Sequence, residues 1–209
     1  VIPLAAWAST GVDPMELSLV PVESRLEYLF SANKNDRLRS PESLVKFLHE
    51  HGHNSPFRHL NFIFLVKTEK PTHIQFLKHR VGVEINSESA RYKRLNPSYY
   101  IPEDMPLTIQ AKLQAHYDCS QELYEEIYNE LIEAGFSKQR AKESARFALP
   151  EGHQISYQVS MSAEALRHFY QLRTSRYAQL EISLIAQSMV RQVLETGKFD
   201  ILEDYFLGE

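Results

Sequence analysis

Residues 75–94 read QFLKHRVGVEINSESARYKR. From Lys78 to Arg94 this stretch holds five Lys or Arg and two Glu, a local balance of +3 in a chain whose net charge is -4. The cations flank a polar run, Gly82 to Ala90, and do not alternate with acids as on a solvated helix face. A loop of Gly, Asn and Ser can offer backbone N–H groups and hydroxyls to a phosphate, while arginine adds a two-pronged cation. The same composition suits an ordinary polar surface loop, and from these residues alone both readings stand.

Working outward, Pro71 starts a helix that turns Ile74, Phe76 and Leu77 inward and ends near His79. Leu60 to Lys67 reads as a strand with Phe62, Phe64 and Val66 on one face and Ile63 and Leu65 on the other, so that both faces are expected to be covered. Further upstream, Ser40, Pro41 and Glu42 form a helix start, Leu44, Val45, Phe47 and Leu48 its buried stripe, and Gly52 its end. The first ten residues are expected to be a strand that enters a turn at Gly11 to Pro14. Downstream, Pro106 to Ala134 is the clearest helix, with Ile109, Leu113, Tyr117, Tyr124, Ile127 and Leu131 at helical spacing and Gly135 as its stop. A shorter helix from Ser137 to Phe147 precedes an alternating strand, His153 to Met161. Ser162 caps the next helix, which runs to Thr174; another spans Ala178 to Thr196, and Phe199 to Leu207 adds a short one. The pattern is α+β, a small sheet packed with long helices.

The chain has 209 residues, 43% hydrophobic and 24% charged, enough for one domain with a substantial core, and residues 1–209 are read as that domain. The modest net charge gives no reason to expect a nucleic-acid polymer as partner. No apolar run reaches a membrane span, and Val1 to Ser9 lacks the pattern of a signal peptide, so the cytoplasm is the expected compartment. Cys119 is the sole cysteine. It excludes an internal disulfide and a cysteine-based zinc site, and on the long helix it is expected to be a small buried apolar group. Of His49, His51, His53 and His59, the first three straddle a helix end and its Gly turn and so form no i, i+4 pair on one helical face, and no metal site is expected.

Lys78-His79-Arg80, Asn86, Ser89 and Arg91-Tyr92 together resemble the signature of the flavin-dependent thymidylate synthases. The resemblance extends to His51-Gly52-His53, Ser55-Pro56-Phe57 and His59 upstream. Downstream it takes in Ala145-Arg146, Leu149-Pro150, Leu172-Arg173, Ala178-Gln179 and Glu181. The chain departs from the family pattern at Lys78 (an Arg in the family), by one inserted residue between Arg80 and Asn86, at Glu164 (commonly Arg) and at Tyr177 (often His). The fold implied is a small, mostly antiparallel sheet packed with long helices, in a homotetramer whose active sites lie at subunit interfaces. The long helix Pro106 to Ala134 would be partly interface.

The activity implied is methylation of dUMP to dTMP, with FAD and NADPH, and with 5,10-methylenetetrahydrofolate as carbon donor. By the resemblance, Gln75, Lys78, Ser87, Glu88, Ser89, Ala90, Arg91, Arg146 and Arg173 bind dUMP. Arg91 and Arg146 take the phosphate, Ser89 hydrogen-bonds there, and Arg173 is catalytic through polarisation of a uracil carbonyl. Ser55, Lys78, His79, Arg80, Val81, Asn86, Ser162, Glu164, His168 and Tyr177 face FAD, and His53 borders the folate. A flavin route needs no cysteine nucleophile, in keeping with Cys119 lying outside any motif. Two other readings remain open: hydroxymethylation of dUMP on the same scaffold, and a non-catalytic nucleotide-binding module.

Overall fold

The structure, a computed structural model, describes residues 1–33, 38, 40–89 and 98–208. The N-terminus is helical where a strand was expected. Pro3 lies in the first turn of α1 (Ile2–Ala5), a 3₁₀ turn covers Trp7–Thr10, and Gly11 closes it at φ 70°. Proline lacks the N–H that a sheet ladder needs, whereas the first turn of a helix leaves that N–H unused. Asp13 then caps α2 (Pro14–Leu19) by accepting from the Met15 N–H at 2.7 Å, and α3 (Arg25–Ser31) follows.

The expected helix at Ser40 is present as α4 (Pro41–Glu50). The Ser40 hydroxyl accepts from the Ser43 N–H at 3.2 Å, and the Ser43 hydroxyl accepts from the Ser40 N–H at 3.0 Å. Two otherwise orphaned donors are thus satisfied reciprocally. After it come β1 (Asn61–Glu69), α5 (Lys70–Phe76), β2 (Val83–Ser87), α6 (Leu107–Glu133) and α7 (Lys138–Ala145). The chain continues with β3 (Gln154–Ser162), α8 (Ala163–Arg173), α9 (Leu180–Glu195) and α10 (Glu203–Leu207).

The strands form one sheet in the order β1-β3-β2. Backbone pairs flanking the strands fix its direction. Ser162 N–H donates to Gly82 O at 3.0 Å and Glu88 N–H to Ser156 O at 2.9 Å, so residue numbers rise on β2 as they fall on β3. Ala163 N–H to Leu60 O (2.8 Å) and Lys70 N–H to Glu151 O (3.2 Å) do the same for β1 and β3. Both pairings are antiparallel. Most of the polar run expected to be a loop is therefore an edge strand. Val83 is buried, Glu84 and Asn86 are exposed, and Ile85 and Ser87 are half-buried. Hydrogen bonding to β3 makes this five-residue segment a strand, and Val83 and Ile85 alternate with Glu84 and Asn86 across its two faces.

The chain divides into two compact units, Val1–Phe64 with Arg80–Glu84 and Ser160–Glu209, and Leu65–His79 with Ile85–Val159. The interior of the first is mainly apolar. Leu29, Leu44, Leu48, Phe57, Leu166, Phe169, Ile182 and Phe206 are buried, and Phe57 stacks on Tyr205 at 4.0 Å. The interior of the second is mixed. Tyr157 and Phe76 are buried beside Thr68, Glu69, Thr72, His73, Ser120 and His153. The α6 helix packs through Tyr117 and Tyr124, with Tyr99 stacked on Tyr117 at 4.7 Å.

Two further expectations are corrected. On β1, Phe62 and Val66 are buried, but Ile63 and Leu65 are 67% and 84% exposed, so only one face is covered within the chain. Cys119 is exposed on α6, because the buried side of that helix is carried by Tyr117, Ser120 and Tyr124.

Gly82 joins the turn after α5 to β2 at φ 67°, and a Cβ there would lie 2.7 Å from Ser162 Oγ and 3.2 Å from Ala165 Cβ. Gly82→Ala combines a left-handed backbone with a collision against buried atoms. It is expected to lower the unfolding free energy by about 1–3 kcal/mol, read as a reduced urea midpoint. An unchanged midpoint would remove Gly82 from this role.

Candidate functional site

In the first unit, α4 ends at Gly52 and delivers His53 and Ser55 to the surface. The His53 N–H donates to Leu48 O at 2.8 Å, and the ring stacks near Phe47 at 5.9 Å. His51 Nδ1 lies 2.9 Å from Phe47 O, so a proton on that nitrogen lets the ring cap the end of α4. Arg80 and Val81 are exposed, Val81 by 84%. Buried Ser162 has its Oγ accepting from the Ala165 N–H at 3.2 Å, as the cap of α8.

On α8, Ala163, Ala165, Leu166 and Phe169 face the interior, which places Glu164 and His168 four apart on the outer side. Arg58, not singled out in the sequence, grips Glu164: its Nη2 donates to Oε1 at 3.1 Å, and its Nε to Oε2. This ion pair raises the Arg58 pKa, chiefly through the hydrogen bond to Glu164. Arg173 is half-buried in the last turn of α8, and burial lowers its pKa. An arginine so shifted still carries its charge at neutral pH. Tyr177 is 80% exposed, with the Arg176 guanidinium 4.6 Å from its ring centroid.

In the second unit, α5 carries half-buried Gln75, and the turn after it carries exposed Lys78 and half-buried His79. On β2, Asn86 and Ser87 point to opposite faces, so the residue assigned to flavin and the residue assigned to nucleotide are separated by the pleat. Ser87 Oγ lies 3.2 Å from Nε2 of His73, a buried residue of α5 that the sequence reading passed over. Glu88 is turned onto the backbone: its Oε1 accepts from the Ser156 N–H at 2.6 Å. Ser89 is half-buried beyond it. Exposed Arg146 follows α7, with its guanidinium 5.9 Å from the Phe147 ring. Ala90 and Arg91, both expected in the nucleotide site, lie outside the described residues.

The donor set of the first unit fits a flavin dinucleotide in its chemistry. Arg80 offers a guanidinium for phosphate, Ser55 a hydroxyl, and His168 and Tyr177 rings with polar tips. Glu164 is the exception, since its carboxylate already holds Arg58 and would repel a phosphate. Among the described residues no three His, Cys, Asp or Glu side chains gather as a metal site, and no helix is long and apolar enough to cross a membrane.

Residues 12–196 match the family model described as "Thymidylate synthase complementing protein". The chain is 31% identical over 169 residues to a flavin-dependent thymidylate synthase of Thermosipho melanesiensis, covering 71% of each. It is 30% identical over 181 residues to one of Streptomyces avermitilis, covering 75% of this chain and 71% of that one. Among solved structures it resembles a UMP/dUMP methylase, PolB of Streptomyces cacaoi, bound with 5-Br UMP. That likeness has a TM-score of 0.64 and 24% identity and covers 79% of this chain and 82% of the other; it speaks to the fold.

His73 and His153 are buried in the second unit, and burial lowers both pKa values below the ordinary 6.5. Below that pH the unfolded chain binds protons that the folded chain refuses. Stability conferred by the neutral rings is complete above 6.5 and declines as pH falls further. The urea midpoint is expected to drop between about pH 6.5 and pH 5.5, before most carboxylates titrate. His73→Phe should make that drop shallower; a drop as steep as in the wild type would exclude the His73 contribution.

Proposed function

We propose that this chain, which belongs to the flavin-dependent thymidylate synthase family, methylates dUMP to dTMP with FAD, 5,10-methylenetetrahydrofolate and NADPH. It is an enzyme of the methyltransferase type, with a flavin cofactor. The observation that carries the dUMP reading is the span of the family match: residues 12–196 include every candidate residue from His53 to Tyr177. The relation in fold to a protein named as a UMP/dUMP methylase supports the same substrate.

The nucleotide phosphate is taken by Arg146 and Arg91, with Ser89 and nearby backbone N–H groups completing the cradle. Ser87, Glu88, Ala90, Gln75 and Lys78 complete the nucleotide site. Arg173 meets a uracil carbonyl. Its half-buried guanidinium is less screened by water than an exposed one, so it stabilises negative charge developing in the ring more strongly. That charge lets C5 of the ring accept the one-carbon unit without attack by a thiol. FAD held there and reduced by NADPH would supply the hydride that completes the methyl group. Ser55, Lys78, His79, Arg80, Val81, Asn86, Ser162, His168 and Tyr177 hold the cofactor, with Arg58 and Glu164 beside them as a preformed pair. His53 stands against the folate.

The chain works as one catalytic domain in the cytoplasm, within a homotetramer whose active sites lie at subunit interfaces. Exposed Leu107, Ile109 and Leu123 on α6, together with Ile63 and Leu65 on β1, support burial against other copies.

Anaerobic turnover of the FAD-loaded protein with dUMP, methylenetetrahydrofolate and NADPH should give a product heavier by one CH2. A gain of CH2O would show hydroxymethylation, and failure to bind flavin would favour a non-catalytic module. Arg173→Ala should reduce turnover by about 10²–10³-fold while the flavin stays bound. Full activity in that variant would clear Arg173 of its catalytic role.

A further inference from the structure

His73 is a buried imidazole that touches a residue of the candidate nucleotide site. It sits in α5, two positions before Gln75, and is 7% exposed. Its ring packs 4.5 Å from that of Tyr157, which meets Phe76 edge-on at 5.4 Å, so both sides of the α5–β3 contact are aromatic. One ring nitrogen, Nε2, lies 3.2 Å from Ser87 Oγ. The other, Nδ1, is buried with no hydrogen-bond partner.

These two facts select a tautomer. Burial favours the neutral ring, which carries one proton. A proton on Nδ1 would bury an N–H with no acceptor, a rare and costly arrangement. A bare lone pair there is better tolerated. The proton therefore sits on Nε2 and is donated to Ser87 Oγ. With that lone pair engaged, the Ser87 hydroxyl hydrogen turns away from His73. Oγ keeps a second lone pair, but its O–H no longer serves His73 and is left to donate to another acceptor.

We propose that His73 is a positioning residue that fixes the Ser87 hydroxyl as a hydrogen-bond donor to an acceptor oxygen, phosphate or carbonyl, of the bound pyrimidine nucleotide. This rests on the reading of Ser87 as part of the dUMP site. It assigns a role in binding to a histidine outside the signature block. His73 acts through Ser87 and makes no contact with the nucleotide itself.

The test uses flavin-loaded full-length protein and dUMP binding measured by calorimetric titration. His73→Phe keeps a flat ring and removes both nitrogens; Ser87→Ala removes the hydroxyl. Each should weaken dUMP binding about tenfold, as expected for loss of one donor to a charged or polar oxygen, with flavin still bound. The double variant should bind no more weakly than either single variant, because the two residues act as one device. His73→Gln, whose side-chain amide can reach Ser87 with an N–H, should recover most of the loss. Losses that multiply in the double variant, or a His73→Phe variant that binds dUMP like the wild type, would overturn the proposal.

A readout independent of any variant is the nitrogen-15 spectrum of the wild type. It should place the His73 proton on Nε2; a proton on Nδ1 would refute the mechanism. Wild-type protein with no affinity for dUMP would remove the underlying site reading and this inference with it. Wild-type binding with an indifferent His73→Phe variant would remove this inference alone.

Discussion

Ser162 makes three commitments within a few ångströms. Its N–H donates to Gly82 O at 3.0 Å, which aligns the starts of β2 and α8. Its hydroxyl accepts from the Ala165 N–H at 3.2 Å, which ends β3 and begins α8. Its Oγ occupies the space a side chain at position 82 would need, so the turn after α5 must be built on glycine. The two hydrogen bonds are ordinary interactions of roughly 1 kcal/mol each. Sharing one residue makes them conditional on one another. The register of β2, and with it the side of the sheet on which Ser87 and Asn86 fall, follows from this junction, because a slip of one residue would exchange the two faces.

The two units solve different problems. The first buries Leu, Phe, Met and Val, with Arg167 laid across Tyr205 at 5.1 Å and donating to its carbonyl at 2.7 Å. Here the gain is mainly removal of apolar surface from water, about 1.5–3 kcal/mol for each large side chain. The second gives up part of that gain by burying Glu69, Thr72, His73 and His153. Thr72 donates to the Glu69 carboxylate, so one of these groups is satisfied locally. His73 Nδ1 and His153 Nε2 are not, and in the first unit the buried Tyr205 hydroxyl is likewise without a partner. Burial also drives the Tyr157 pKa strongly upward and keeps the phenol neutral. An interior that tolerates unsatisfied polar atoms is less stable than an apolar one of equal volume, and that cost is placed where Ser87 needs a fixed partner.

Helices with strong boundary signals were legible in the sequence: Ser40 to Glu50 through its cap, and the long helix before Gly135 through its period. The strands at Leu60 and His153 were legible from alternation. The N-terminal helix was not, because residues 1–10 are mostly small or apolar and carry no polar face to reveal a period. Val83 to Ser87 was read as loop, since the alternation of Val83 and Ile85 with Glu84 and Asn86 is short and set among Gly, Asn and Ser. Candidate site residues were read by resemblance, and the signature says nothing of what lies beneath it. Arg58 grips Glu164 from 106 positions away, and His73 reaches Ser87 across 14. Such pairs depend on tertiary proximity, for which one sequence carries no local signal. The bond from the Ser156 N–H to Glu88 Oε1 also lay beyond it, since it spans 68 positions.

Cys119 is the one thiol of the chain and stands exposed on α6, outside every motif. In a free protomer, maleimide or iodoacetamide reagents therefore have one sulfur to attack per polypeptide. A fluorophore attached there reports from a known point on a helix about 40 Å long, by its rise per residue. Energy transfer from that dye to a yellow cofactor would gauge their separation without altering any group assigned to chemistry.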